Sequence, residues 1–185
     1  MAIRWDKFTI KAQEAIQKAN EIASEHGNPE MLPLHLLAAL LQDSEGIVVP
    51  VLTKLGVNAQ ALQAQVMERF GKLPRVSGAS AEPRLSAGMA KILDQAFKEA
   101  DTFKDEYVST EHLLLAAVAD NDKFDKGNEA RQLLAAAGVE HDAILKALTA
   151  VRGSQRVIDQ NPEGKYQALS RAGGASAVLV TQRWV

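Results

Sequence analysis

The 185-residue chain contains no cysteine. That excludes disulfides, thiolate nucleophiles and Cys-ligated metal centres, and it fits a reducing compartment. Aromatic residues are scarce as well, at 5% of the chain. No stretch reaches 18 apolar residues, so the sequence offers no membrane-spanning helix. Neither charge sign dominates: 21 Lys and Arg face 23 Asp and Glu, a net charge of −2. No nucleic-acid surface or polybasic membrane face is expected from such a balance. The first 30 residues mix acids, amides and bases without an apolar segment, which predicts no secretory signal and a cytoplasmic setting. Chemical motifs are missing too. There is no GxxxxGKS/T phosphate loop, no HExxH metal helix and no GxSxG nucleophile elbow. The expectation is a domain without cofactor, metal or catalytic residues of its own.

What is present is alanine and leucine. They carry much of the 46% apolar share, and both are strong helix formers. The segment TIKAQEAIQKANEIASEHG places Ile10, Ala12, Ala15, Ile16, Ala19, Ile22 and Ala23 at three- and four-residue steps, the stripe of an amphipathic helix. Thr9 occupies the N-cap position. PLHLLAALLQD is apolar on nearly every side and reads as a buried helix, Pro50 to Gly56 as a short one, and AQALQAQVMERF as a fourth, capped by Asn58. Residues 72–84 read as a connector. The pattern then restarts with a helix capped by Ser86, a buried helix STEHLLLAAVAD, the short EARQLLAAAG and a closing HDAILKALTAVRG.

The two halves are an internal repeat. His35 falls on His112 at an offset of 77, as Thr9 falls on Ser86 and Ile16 on Leu93. Gly56-Val57 matches Gly138-Val139 at an offset of 82, the extra residues fitting the loop NDKFDKGN. The predicted fold is all-α, two pseudo-symmetric four-helix repeats. Repeat one is placed at 1–76 and repeat two at 84–150, within a helical body of 1–150. Residues 151–169 read as a linker, and 170–185, rich in glycine and alanine before an apolar end, as a poorly ordered tail.

Candidate residues are few. His35 and His112, near the starts of buried helices, read as terminus-capping side chains, and His26 and His141 as solvated ones. Asp105, Glu106 and Glu111 cluster around the turn FKDEYVSTE. They fit either a solvated face complementing a helix dipole or a charged rim beside an apolar peptide groove, with Tyr107 as a contact. The residues alone point to a binding or assembly module.

FTIKAQEAIQKANEIA, PLHLLAALL, STEHLLLAA and the LGV/AGV turns resemble the double N-terminal repeat of the Clp/Hsp100 AAA+ chaperones. VRGSQRVIDQNPEGKYQAL, residues 151–169, resembles the segment that joins this domain to the first ATPase module in the ClpB disaggregase branch. The resemblance implies a hexameric, ATP- and magnesium-dependent parent machine. With the Hsp70 system, that machine draws unfolded or aggregated polypeptides into a pore, and the N-terminal domain engages them. Docking of an adaptor, as in protease-feeding relatives, and a regulatory lid on the ring are the alternatives. The resemblance also implies substrate contact or coupling roles for Thr9, Asp105 and Glu111, with Phe97, Tyr107 and His112 as further candidates. Gln95 and Glu99 stand where relatives present leucines, which makes this groove less apolar. Ser170 to Val185 departs from the family, showing neither its continuing linker nor a phosphate loop.

Overall fold

A computed structural model describes residues 3–77, 82–119 and 128–162. The loop NDKFDKGN up to residue 127, the second part of the linker and the whole 170–185 tail lie outside the described residues. Within them a 3-10 turn, Trp5–Lys7, leads into eight α-helices. These are α1 (Ile10–Glu25), α2 (Pro33–Gln42), α3 (Val48–Lys54) and α4 (Ala59–Phe70), then α5 (Ala87–Phe103), α6 (Thr110–Val118), α7 (Glu129–Ala136) and α8 (His141–Arg152). The helices form two four-helix repeats. Side-chain oxygens of Thr9, Asn58 and Ser86 accept the Ala12, Ala61 and Met89 N–H groups, so each cap falls where the sequence places it.

The centre is a pair of helices. Every residue from Pro33 to Leu41 in α2, and from Thr110 to Val118 in α6, is buried. The two touch each other, α1 packs along α2, and α5 packs along α6. Ala38, Ala39, Ala116 and Ala117 lie in this layer. Small side chains let the helix backbones approach closely, which leaves little volume for aromatic rings and accounts for their scarcity.

Four residues form strand structure that helical periodicity does not reveal. Glu30–Met31 (β1) pairs in parallel with Arg84–Leu85 (β2), and Phe8 bridges Val108 in parallel. At the 77-residue offset Leu85 corresponds to Phe8 and Val108 to Met31, so one contact is made twice. Each segment leading into a repeat's first helix pairs with the segment before the other repeat's second helix. The halves are thus interlocked at two pseudo-equivalent places.

Two segments depart from expectation. Helix α3 begins at Val48, two residues before Pro50. Proline is tolerated there because first-turn N–H groups have no intrahelical acceptor. The connector is tied down at both ends: Val76 N–H donates to Gly27 O at 2.9 Å, Asn28 Nδ2 to Pro74 O at 2.9 Å, and Arg84 N–H to Pro29 O at 3.0 Å. Gly27 has a left-handed backbone with φ of +66°, and its counterpart in the second repeat, Lys104, adopts φ of +57°. The turn after each first helix is therefore the same turn, although the second copy makes it with a residue that has a Cβ.

Candidate functional site

Both central helices begin with a histidine in the same bonding pattern. His35 Nδ1 accepts the Leu32 N–H at 2.9 Å, and His112 Nδ1 accepts the Ser109 N–H at 2.9 Å. A nitrogen that accepts an N–H carries no proton, so the ring proton lies on Nε2. From there His35 donates to Asn28 Oδ1 at 3.0 Å, and His112 donates to Asp105 Oδ2 at 2.9 Å. Asn28 and Asp105 are 77 residues apart, the repeat offset. Both histidines are buried helix-terminus caps.

Around this shared core the repeats use opposite chemistry. In the second, the Arg152 guanidinium at the end of α8 reaches both Asp105 oxygens through Nη2, at 2.6 and 2.5 Å, and Glu111 through Nη1 at 3.4 Å. It also lies 4.9 Å from the centre of the Phe103 ring. In the first, Phe70 ends α4 at the corresponding position and stacks on His35, with centroids 5.1 Å apart and planes 16° apart. Leu34 stands where the second repeat has Glu111. Burial pushes the Asp105 carboxyl up, but hydrogen bonds from His112, Arg152 and the Val157 N–H, with the Arg152 charge, outweigh it and hold the group below its ordinary value. Glu111 Oε2 is buried without a hydrogen-bond partner among the described residues.

Thr9, Asp105 and Glu111 are brought together at the seam between the repeats. Thr9 N–H donates to Val108 O at 2.9 Å, which sets the start of α1 against the turn before α6. Neither acid forms a solvated rim. Asp105 is 8% exposed and Glu111 0%, because Arg152, His112 and the Val157 N–H take the place of solvent around these carboxyl groups. Thr9 is buried too, while Tyr107 in the intervening turn is half-buried. Thr9→Ala removes the α1 cap and is expected to lower stability by about 1 kcal/mol. A thermal melt followed by helical circular dichroism measures it; an unchanged midpoint would contradict the capping role.

An apolar groove of about 170 Å³ lies between the lead-in to α1 and the first half of α5. Ile3, Phe8, Leu85, Leu93 and Phe97 line it, and Arg4 and Asp94 add one charge of each sign. Phe97 packs edge-on against Phe8, centroids 5.2 Å apart, with the Arg4 guanidinium 4.3 Å from its ring centre. Trp5, 6.2 Å from Phe8 between centroids and 40% exposed, is a candidate contact that the motif reading passes over. Gln95 and Glu99 are tied up elsewhere on α5. Gln95 Nε2 donates to Glu99 Oε1 at 2.9 Å, and His141 Nε2 meets both Glu99 oxygens at 3.0 Å. His141 is therefore a paired side chain, and so is His26, whose Nδ1 lies 2.8 Å from Ile22 O. A larger groove of about 380 Å³ between α1 and α2 is polar, lined among others by Lys11, Glu14, Lys18, Glu21 and Asp43. Among the described residues no three His, Asp or Glu side chains are placed to hold a metal ion. No described helix is long and apolar enough to cross a membrane.

The described residues form a duplicated four-helix body with buried polar caps and ion pairs and with shallow surface grooves. Residues 7–127 match the Clp repeat (R) N-terminal domain, and the chain belongs to that family. It is 40% identical over 173 residues to the chaperone protein ClpB of Rhodopirellula baltica, covering 94% of this chain and 19% of that protein. The chain thus spans about a fifth of the length of the curated relative it matches. Its part in that relative is the N-terminal domain and not an ATPase domain. The Hsp104 N-terminal domain from Candida albicans superposes with a TM-score of 0.72 at 26% identity, covering 85% of this chain and 99% of that one. A ClpV N-domain in complex with a VipB peptide shares the fold, with a TM-score of 0.62 at 18% identity, covering 81% of this chain and 89% of that one.

Proposed function

We propose that this domain engages unfolded or aggregated polypeptide for an ATP-driven disaggregase of the ClpB kind and hands it to the pore of a hexameric ring. The observation that carries the reading is the apolar groove at Leu93 and Phe97, flanked by the exposed Trp5. A non-specific binder of unfolded chains needs apolar surface that many sequences can cover, with charge nearby to keep it soluble. The groove supplies both. The peptide-bound ClpV N-domain supports the reading, since it shows a domain of this fold holding a peptide. Tyr107 makes direct contact in this scheme, while Thr9, Asp105 and Glu111 couple the groove to the rest of the chain from buried positions. ATP and magnesium serve the ring rather than this domain, the Hsp70 system delivers substrate, and the setting is the cytoplasm. Weak contacts suffice, because tethering to the ring raises the local concentration of the domain.

The test is an amide-shift titration with a reduced, alkylated protein that cannot fold. Shifts are expected at Trp5, Leu93, Phe97 and Tyr107. Trp5→Ala, which alters a half-exposed ring, is expected to weaken binding about fivefold with little change in melting temperature. No shifts at millimolar substrate would overturn the groove. Shifts confined to the Lys11–Asp43 groove, seen with a folded partner alone, would favour adaptor docking instead.

A further inference from the structure

We propose that the ionic node of the second repeat is a latch that holds residues 155–162 against the body and so sets the free length of chain leaving the domain. The sequence reads this stretch as linker, yet it is bonded at successive points. Arg152 Nε donates to Gln155 O at 2.8 Å, closing the turn after α8. The Arg156 guanidinium donates to Lys104 O, its Nε at 2.6 Å. Val157 N–H donates to Asp105 Oδ1 at 2.7 Å, Val157 O accepts the Glu106 N–H at 2.8 Å, and the Val157 side chain is buried. Gln160 O then accepts the N–H of Ile10, the first residue of α1, at 2.8 Å. That N–H is one of the donors a helix start leaves without an internal acceptor. The strap thereby completes α1 directly beside Thr9.

The first repeat shows why the node is the controlling part. Its own exit segment, residues 72–76, is gripped by Asn28 in the place of Asp105. Asn28 Oδ1 is occupied by His35, so the amide has just its Nδ2 to offer, and it takes a carbonyl, that of Pro74. Asp105 has no donor. It takes an N–H instead, and a bond to an ionised acceptor is roughly twice as strong as a neutral one. The two grips are chemically reversed, and the second depends on Arg152 to keep the carboxylate charged and aimed. Released, the ten residues 153–162 would extend the chain by roughly 35 Å, at about 3.3–3.6 Å per residue.

The decisive variant rebuilds the second node as the first: Asp105→Asn, Glu111→Leu and Arg152→Phe together, matching Asn28, Leu34 and Phe70 around the retained His112. Its residues already coexist at the equivalent places, so a cooperative helical melt is expected. The amide introduced by Asp105→Asn would give its oxygen to His112 and turn its nitrogen toward the Val157 N–H, donor against donor, and the strap should detach. Tryptic cleavage after Arg156 is expected to accelerate at least tenfold. Amide exchange at Val157 and Ile10 should rise similarly, but not at Val108, whose N–H is held by Lys7 O. The cysteine-free chain also allows spin labels at Glu21→Cys and Ile158→Cys, both exposed positions. Their distance distribution should be narrow in the parent and broad in the triple variant. A broad distribution in the parent, or a folded triple variant as protected as the parent, overturns the latch. If the triple variant does not fold, Val157→Pro takes away the N–H that Asp105 accepts. Trypsin does not cut an Arg–Pro bond, so amide exchange at Ile10 and the spin-label distance distribution then decide in the same way.

Discussion

Arg152→Ala is expected to lower the unfolding free energy by about 3–5 kcal/mol, the usual cost of removing one partner from a buried ion pair. Arg152 is the guanidinium facing two buried carboxyl groups, Asp105 and Glu111, and it closes the turn at Gln155 and covers the Phe103 ring. Truncation leaves both acids in a space too enclosed for bulk water to replace the lost charge. For a domain of this size that loss corresponds to a fall in melting temperature of roughly 10 °C. Arg152→Lys should recover part of it. A lysine brings the charge back but cannot fork between Asp105 and Glu111 while also donating to the backbone of Gln155. Urea denaturation of the three proteins at neutral pH, followed by helical circular dichroism, checks the order. A loss below about 1 kcal/mol for Arg152→Ala would mean that the node is solvated, contrary to its burial.

The helical repeat is legible in the sequence because its signals are local. Thr9, Asn58 and Ser86 cap helices within three residues of themselves, and the stripes of α1 and α5 recur every turn. The correspondence of His35 with His112 is legible for the same reason, since each bonds the backbone three residues before it. The node is different. Asp105 meets Arg152 across 47 residues, and Arg152 ends a helix, where a basic side chain ordinarily points to solvent and complements the dipole. One trace existed: at the 82-residue offset that aligns Gly56 with Gly138, Arg152 falls on the buried Phe70. An arginine in the place of a core phenylalanine needs a carboxylate, and Asp105 and Glu111 were the acids at hand. The strap left no trace, because Arg156 and Val157 meet Lys104 and Asp105 across 52 residues, and its ties at Glu106 and Ile10 use backbone groups, which every sequence has. Two-residue strands are likewise too short for any periodicity to reveal.

The first repeat's neutral node carries the second large prediction, a loss of stability in mild acid. Burial, with the neighbouring His26 adding to it, pushes the His35 imidazole down to about 4 from an ordinary 6.5. The geometry requires the neutral ring: a proton on Nδ1 would face the Leu32 N–H, donor against donor, and undo the start of α2. The sign follows from linkage. Well above pH 6.5 the ring is neutral in folded and unfolded chains alike, and His35 adds no pH dependence. Between 6.5 and about 4 the unfolded chain takes up the proton and the folded one does not, so stability falls as pH falls, by about 2–3 kcal/mol across the window. Below the ordinary carboxylate range Asp105 adds a further loss of the same sign, since its folded form resists protonation. His35→Gln separates the two. Glutamine at the third helical position accepts the N-cap N–H, as in a capping box, but does not titrate. It forfeits the stack on Phe70 and should be less stable at neutral pH by about 1–2 kcal/mol. Between roughly pH 7.5 and 4.5, however, its urea midpoint should hold nearly steady while that of the parent drops. Equal drops in both proteins would place the acid sensitivity elsewhere and remove His35 as its source.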